Sequence, residues 1–277
     1  MEKIIVPVDF SEHSEHALQT AAKLAKKYQA ELLVLHMLEM PEMVLTSTGK
    51  KQNEKAGFLL RLTEQKFAKL LDVGFLIGLK VTPIIKHFKM FSEVNDVAKE
   101  NGADLIVMGT QGASGFKEMF VGSNTERVIR YAEIPVLAVK KKVMDVSFEV
   151  VAFACDFSEA CIPAYLKAVK LFEKMNSKMY LVYVNLPNDK FKSSVEMEKQ
   201  VAEFLMKACG NLQPMKNVHY TSDYSVEAGV LSFSNKIGAD LIALPTHGKK
   251  GLAHFFEGSV GEDVANHATL PVMTFKI

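Results

Sequence analysis

The sequence predicts an α/β protein built as two tandem copies of an open, mostly parallel five-stranded sheet with helices on both faces. Three observations lead there. Short apolar runs alternate with longer segments whose apolar residues recur at helical spacing, which is how a parallel sheet covered by helices reads. The chain also repeats itself. Val6-Pro7-Val8-Asp9-Phe10-Ser11-Glu12 returns as Phe153-Ala154-Cys155-Asp156-Phe157-Ser158-Glu159, Gly102-Ala103-Asp104-Leu105-Ile106 as Gly238-Ala239-Asp240-Leu241-Ile242, and Ile134-Pro135-Val136 as Leu270-Pro271-Val272. The offset is 147 from Val6 to Phe153 and 136 from Gly102 to Gly238, so the second copy is shorter by 11 residues between these anchors. Ordered anchors of this kind mark a duplication. Third, the apolar run Leu105-Ile106-Val107-Met108 opens directly into Gly109-x2-Gly112-x9-Gly122-Ser123, a strand running into a glycine-rich loop.

The elements of the first copy follow in order. Lys3 to Val6 is a short apolar strand, and Asp9 to Ser11 carries the turn into a helix with Ala17, Leu18, Ala21, Leu24 and Ala25 on one face. Ser11 is placed to cap that helix through its hydroxyl. Glu31 to Met37 reads as the second strand, and Asn53 to Leu71 holds a helix presenting Leu60, Phe67, Leu70 and Leu71. Val81 to Ile85 is the third strand, Phe91 to Asn101 a helix, Leu105 to Met108 the fourth strand, Asn124 to Tyr131 a helix and Val136 to Val139 the fifth strand. In such sheets the ligand crevice lies beyond the carboxyl ends of the strands. Asp9, Met37 and Gly109 all fall on that edge.

With 277 residues the chain has room for two domains. The charge run Lys140-Lys141-Lys142 follows the last apolar strand of copy one and places the boundary between residues 1–144 and 145–277. No Gly/Ser-rich or Pro-rich tether occurs there, so the copies are expected to pack together. The fifth strands, Val136 to Val139 and Val272 to Phe275, each close their copy, and an apolar edge must be paired or shielded.

Composition narrows the setting. Lysines and arginines number 33 against 32 acidic residues, a formal charge of +1 that gives no footprint for nucleic acid. No apolar run approaches the ~20 residues that span a bilayer, and the start of the sequence carries no basic-then-apolar leader. A cytoplasmic protein without membrane or nucleic-acid contacts is expected. Cys155, Cys161 and Cys209 are odd in number, confined to the second copy and form no CxxC pair, so they read as reduced thiols.

Glycines let a backbone turn sharply and approach a bulky anion, and a helix N-terminus offers free amides to it. No Gly-Lys-Ser/Thr ends this loop, which separates it from a Walker A loop. The spacing Gly-x2-Gly-x9-Gly-Ser, together with Val-Pro-Val-Asp-Phe-Ser, resembles the universal stress protein family over both copies. The resemblance implies a Rossmann-like fold that binds adenine nucleotides and whose copies associate through the fifth strand, so that Val136 to Val139 and Val272 to Phe275 are expected to join in an internal pseudo-dimer, with a homodimer as a further state. By it, Asp9 contacts the adenosine part, Met37 meets the adenine through its backbone, and Gly109, Gly112, Gly122, Ser123 and Asn124 hold the phosphates of ATP with Mg2+. The second copy keeps Asp156, Val184, Gly248, Gly258 and Ser259, but Pro245 stands where Gly109 stands, removing an amide donor and fixing φ. Copy one is therefore expected to hold the nucleotide.

Each candidate has a plainer explanation. Ser123-x-x-Glu126 and Ser259-x-x-Glu262 both fit a capping box, and Asp9 suits a turn before a helix. His13 and His16 stand three apart on the first helix without an identifiable third ligand, and read as exposed helix residues. His36 reads as a packed, hydrogen-bonded histidine. His247 and His254 share the second copy's loop, where a metal site with Cys155 and Cys161 is conceivable, but the sequence assigns no metal. No catalytic constellation emerges. The reading is a nucleotide-dependent stress or regulatory protein with an unidentified protein partner, and at most slow ATP hydrolysis. The alternatives are an ATP-consuming phosphotransfer or adenylyl-transfer enzyme and a ligand-free scaffold.

Overall fold

A computed structural model describes residues 1–39, 50–88, 93–110, 123–246, 264–265 and 267–277. Strands and helices alternate through both copies. The first contributes β1 (Lys3–Val8), α1 (Glu12–Tyr28), β2 (Glu31–Glu39), α2 (Lys50–Leu71), β3 (Val81–Phe88), α3 (Glu93–Glu100), β4 (Leu105–Gly109), α4 (Ser123–Tyr131) and β5 (Val136–Val139). The second contributes β6 (Val150–Ala154), α5 (Ile162–Met175), β7 (Lys178–Asn185), α6 (Ser194–Cys209), β8 (Val218–Ser222), α7 (Val226–Lys236), β9 (Leu241–Thr246) and β10 (Val272–Lys276).

The ten strands form one sheet in the order β3-β2-β1-β4-β5-β10-β9-β6-β7-β8. All neighbours run parallel except β5 and β10, which pair antiparallel with Ala138 opposite Val272 and Val136 opposite Thr274. The two halves are thus joined along the predicted fifth strands, and the edge each would expose alone is consumed by the other. Alternation of side chains sends Ile4, Val6, Leu105, Val107, Leu137 and Val139 to one face and Ile5, Leu33, Ile106, Met108, Val136 and Ala138 to the other. The first face packs against α1, α2, α5 and α6, and the second against α3, α4 and α7. Each face carries one apolar cluster that runs across both halves.

Local chemistry explains the helix ends. Ser11 caps α1, accepting from the Ser14 amide, with Glu12 and Glu15 in the first turn and Lys26 and Lys27 in the last. Ser193 and Glu196 form a reciprocal capping box on α6, and Gly210 ends that helix in the left-handed region. The second copy enters its first helix differently. A 3-10 turn at Glu159–Cys161 precedes α5, because Pro163 has no N–H to give the Glu159 carbonyl and fits only the first turn of a helix.

Two expectations shift. The second strand runs on through Glu39, so Met37 lies inside β2 instead of after it. His13 and His16 are half-buried rather than exposed, since the backbone of His13 packs against the end of β4. Among the described residues no helix is long and apolar enough to cross a membrane.

Candidate functional site

The carboxyl ends of β1, β2 and β4 meet at one edge of the first half. Asp9 leaves β1 there, and its Oδ1 accepts hydrogen bonds from the Ser11 amide at 3.0 Å and the Ser11 hydroxyl at 2.6 Å. This is the turn-forming role of an aspartate before a helix. Phe10 takes φ 64°, a left-handed conformation that non-glycine residues seldom adopt. The twist lays its ring against His36 at 4.5 Å and Phe67 at 6.3 Å, while Lys66 stands over it at 5.8 Å. His36 in turn bonds through Nδ1 to the Val8 carbonyl at 2.8 Å, as a packed histidine should. The same bend recurs in the second half, where Phe157 has φ 55° and stacks on Tyr183. Strained residues of this kind collect at functional edges.

Met37 brings its main chain to the same edge. The Glu31 amide bonds the Glu2 carbonyl, whereas the Leu32 amide bonds the Lys80 carbonyl. Alternation therefore turns the peptide groups of odd-numbered residues, Met37 included, toward β1. The last register pair of β1 with β2 is Val8 with His36, so Met37 stands one step past the end of that pairing. Its side chain is buried on the opposite-facing cluster that contains α3 and α4.

Gly109 ends β4. A Cβ there would lie 2.5 Å from the carbonyl oxygen of His13 and 2.6 Å from its carbonyl carbon, so the close approach of α1 alone demands glycine. The Thr125 hydroxyl donates to the Gly109 carbonyl at 2.7 Å, which fixes the N-terminus of α4 beside the end of β4. Ser123 is the first residue of α4 and Asn124 the second. Beside Gly109, the Thr110 Oγ1 is buried with no hydrogen-bond partner among the described residues, and so is His13 Nδ1. Glu126 pairs with Arg130 at 2.9 Å. Gly112, Gly122, Gly248, Gly258 and Ser259 lie outside the described residues, as do His247, His254 and Glu262.

In the second half, Pro245 lies within β9, opposite Phe275 of β10. A proline is unusual in a central strand. Ile242 and Thr246 bond toward β10, so the nitrogen of Pro245 faces β6, beyond the last register pair Phe153 with Ala243. The strand thus loses no ladder bond to it. Asp156 keeps the turn, accepting from the Ser158 amide at 2.9 Å, and Val184 packs its side chain where a Cβ on Gly229 would collide, 2.6 Å away.

The thiol pair that the sequence set beside the loop histidines as a conceivable metal site meets Asp156 in the structure. Cys155, Asp156 and Cys161 bring their ligand atoms within 4.8 Å of one another, with both thiols buried and Asp156 partly exposed. Burial, then the hydrogen bond of the protonated thiol with Cys161, push Cys155 well above its ordinary range. The signal was present in the repeat, since Cys155 and Cys161 stand where the first copy has Val8 and Ser14. Cys209 is exposed and apart from them.

A duplicated parallel sheet whose first strand ends in an aspartate turn and whose fourth ends in a glycine beside a helix N-terminus defines a Rossmann-like tandem protein. Comparison with known proteins agrees on a family. The universal stress protein family matches residues 1–140 and again 147–276. A universal stress protein of Methanocaldococcus jannaschii is 30% identical over 155 residues, covering 51% of this chain and 96% of the relative. The Bacillus subtilis universal stress protein YxiE is 30% identical over 152 residues, covering 50% and 98%. A crystal structure of a universal stress protein from Archaeoglobus fulgidus covers 99% of this chain and 98% of its own, with 25% identity and a TM-score of 0.64. The chain belongs to the universal stress protein family, as two tandem copies.

Proposed function

We propose that the first half, residues 1–144, binds one ATP with Mg2+ and that the protein acts as a nucleotide-dependent regulator of a stress response through a protein partner in the cytoplasm. The observation that carries this reading is the meeting, at one sheet edge, of Asp9, the β1-facing peptide of Met37, and Gly109 tied to the N-terminus of α4. These groups suit the ligand. A carboxylate accepts from ribose hydroxyls, a main-chain peptide reads the polar edge of adenine, and the amides that open α4 favour an anion. The buried Thr110 hydroxyl, without a partner among the described residues, lies beside the same strand end and would supply a further donor. In this reading Gly112, Gly122, Ser123 and Asn124 hold the phosphates, and the bound nucleotide supplies an anionic group whose presence alters the surface offered to the partner. Asp156, Val184, Gly248, Gly258 and Ser259 form a weaker counterpart that lacks the amide at Pro245.

Calorimetric titration of the full chain with ATP and with adenosine, with and without Mg2+, tests it. One site per chain is expected. Gly122→Val, which sets a branched side chain where phosphate meets backbone, should weaken ATP at least about 10-fold more than adenosine, and Asp9→Asn should weaken both, each a loss of about 1.4 kcal/mol or more. Two equal sites, or an unchanged ATP affinity in folded Gly122→Val, would reject the assignment.

A further inference from the structure

We propose that Cys155, Asp156 and Cys161 form a binding site for one thiophilic divalent cation, with Zn2+ as the ion that fits, at the carboxyl end of β6 in the second half. The three ligand atoms all lie within 4.8 Å of one another. With metal–sulfur bonds near 2.3 Å and metal–oxygen bonds near 2.1 Å, a tetrahedral ion needs ligand atoms about 3.5–3.8 Å apart, so closing on it takes shifts on the order of 1 Å. The Cys161 thiol already donates to Asp156 Oδ1 at 3.0 Å.

The outer contacts suit anionic ligands. The Phe157 amide donates to Cys155 Sγ at 3.2 Å, the Ser158 amide to Asp156 Oδ1 at 2.9 Å, and the Ser158 hydroxyl to Cys161 Sγ at 3.6 Å. Gln200 holds the Asp156 carbonyl at 2.6 Å, which anchors the turn from α6. Donors of this kind orient metal ligands and stabilise their charge.

The first copy serves as an internal control. There the two sulfur positions are Val8, a core residue of β1, and Ser14, whose hydroxyl bonds the Ser11 carbonyl at 2.9 Å inside the first turn of α1. In the second copy the 3-10 turn imposed by Pro163 holds position 161 at the cap of α5 instead of inside it, and that change turns the side chain toward Asp156. Two cysteines and a reshaped helix start therefore act on one point. Two thiolates select a borderline or soft ion over Mg2+ or Ca2+, and two sulfurs with one carboxylate leave the fourth tetrahedral position for water on the partly exposed Asp156 side. On binding, the two thiol protons pass to solvent and the ion takes their place.

The test uses the full chain, stripped with chelator under a phosphine reductant and titrated with Co2+ as an optical probe. One equivalent should produce sulfur-to-cobalt charge-transfer and tetrahedral visible bands that Zn2+ abolishes. Cys155→Val and Cys161→Ser, which install the residues of the first copy and so preserve packing, should each remove the charge-transfer band or reduce it by half and weaken Zn2+ at least about 100-fold, whereas Cys209→Ser should change neither. Asp156→Asn should keep the sulfur band and weaken Zn2+ at least about 10-fold. Absence of the band in natively folded protein, or its full retention in Cys155→Val, overturns the site.

Discussion

At the residue scale, Gly109 shows how one position serves two demands. The glycine spacing suggests a phosphate loop, yet the structure gives Gly109 a reason that needs no ligand, the His13 carbonyl 2.5 Å from where a Cβ would stand. Both atoms there are backbone, so relief requires α1 to move as a body. Gly109→Ala should therefore lower stability by roughly 1–3 kcal/mol without nucleotide, by overpacking. Denaturant unfolding of the nucleotide-free variant checks this, and wild-type stability would leave ligand contact as the glycine's sole role. Asp9 also has a structural duty, since its carboxylate accepts both Ser11 donors, which is why Asp9→Asn is a cleaner probe of the ligand than Asp9→Ala. The positions of Asp9, Met37 and Gly109 at the sheet edge were legible from strand order alone. The left-handed Phe10 was not, because φ follows from tertiary packing of a ring, and the thiol pair was legible only in part, because Cys155 and Cys161 converge on Asp156 only once Pro163 delays the helix.

At the element scale, β5 and β10 decide how the halves join. The Ile106 amide bonds the Pro135 carbonyl and the Thr110 amide the Val139 carbonyl, so odd-numbered residues of β5 face β4 and the even ones, Val136 and Ala138, face β10. Opposite them, Val272 and Thr274 complete two narrow hydrogen-bonded pairs. Ala138→Pro removes an amide from that seam and leaves a buried carbonyl of Val272 unpaired, a loss of about 1–3 kcal/mol in the full chain. Its sharper effect should appear in residues 1–144 made alone. That fragment exposes β5 and should dimerise through it, while the same fragment carrying Ala138→Pro should remain monomeric, as sedimentation equilibrium would report. A wild-type fragment that stays monomeric at high concentration would show that the seam has no affinity for a second copy of itself. The apolar runs predicted these strands, whereas their pairing with each other came from the family resemblance, with which the need to cover an apolar edge agrees. Element ends were less legible, as with β2, which pairs with β3 as far as Glu39 opposite Phe88 and so outlasts its apolar run.

At the scale of the whole molecule, duplication gives one sheet two unlike ends of similar construction. The first half keeps glycine at the end of β4 and the second has Pro245 and a thiol cluster, so the copies share a scaffold while their edges carry different chemistry. Such asymmetry suits a protein that senses one ligand and reports on it better than one that turns it over. In the proposed nucleotide site the contacts are a carboxylate occupied in a turn, a main-chain peptide and helix amides, none of which is placed as a base against an attacking water. Groups that hold the ground state and the transition state alike lower the free energy of both and leave the barrier between them unchanged. ATP hydrolysis should accordingly run far below the ~10 per second median of enzymes, with or without Mg2+. A steady-state assay on purified full chain, with Gly122→Val as the control for a contaminating ATPase, decides the matter. Slow turnover in wild type with bound ATP recovered intact supports the regulator, whereas turnover near that median, lost in Gly122→Val, would make the protein an ATP-consuming enzyme.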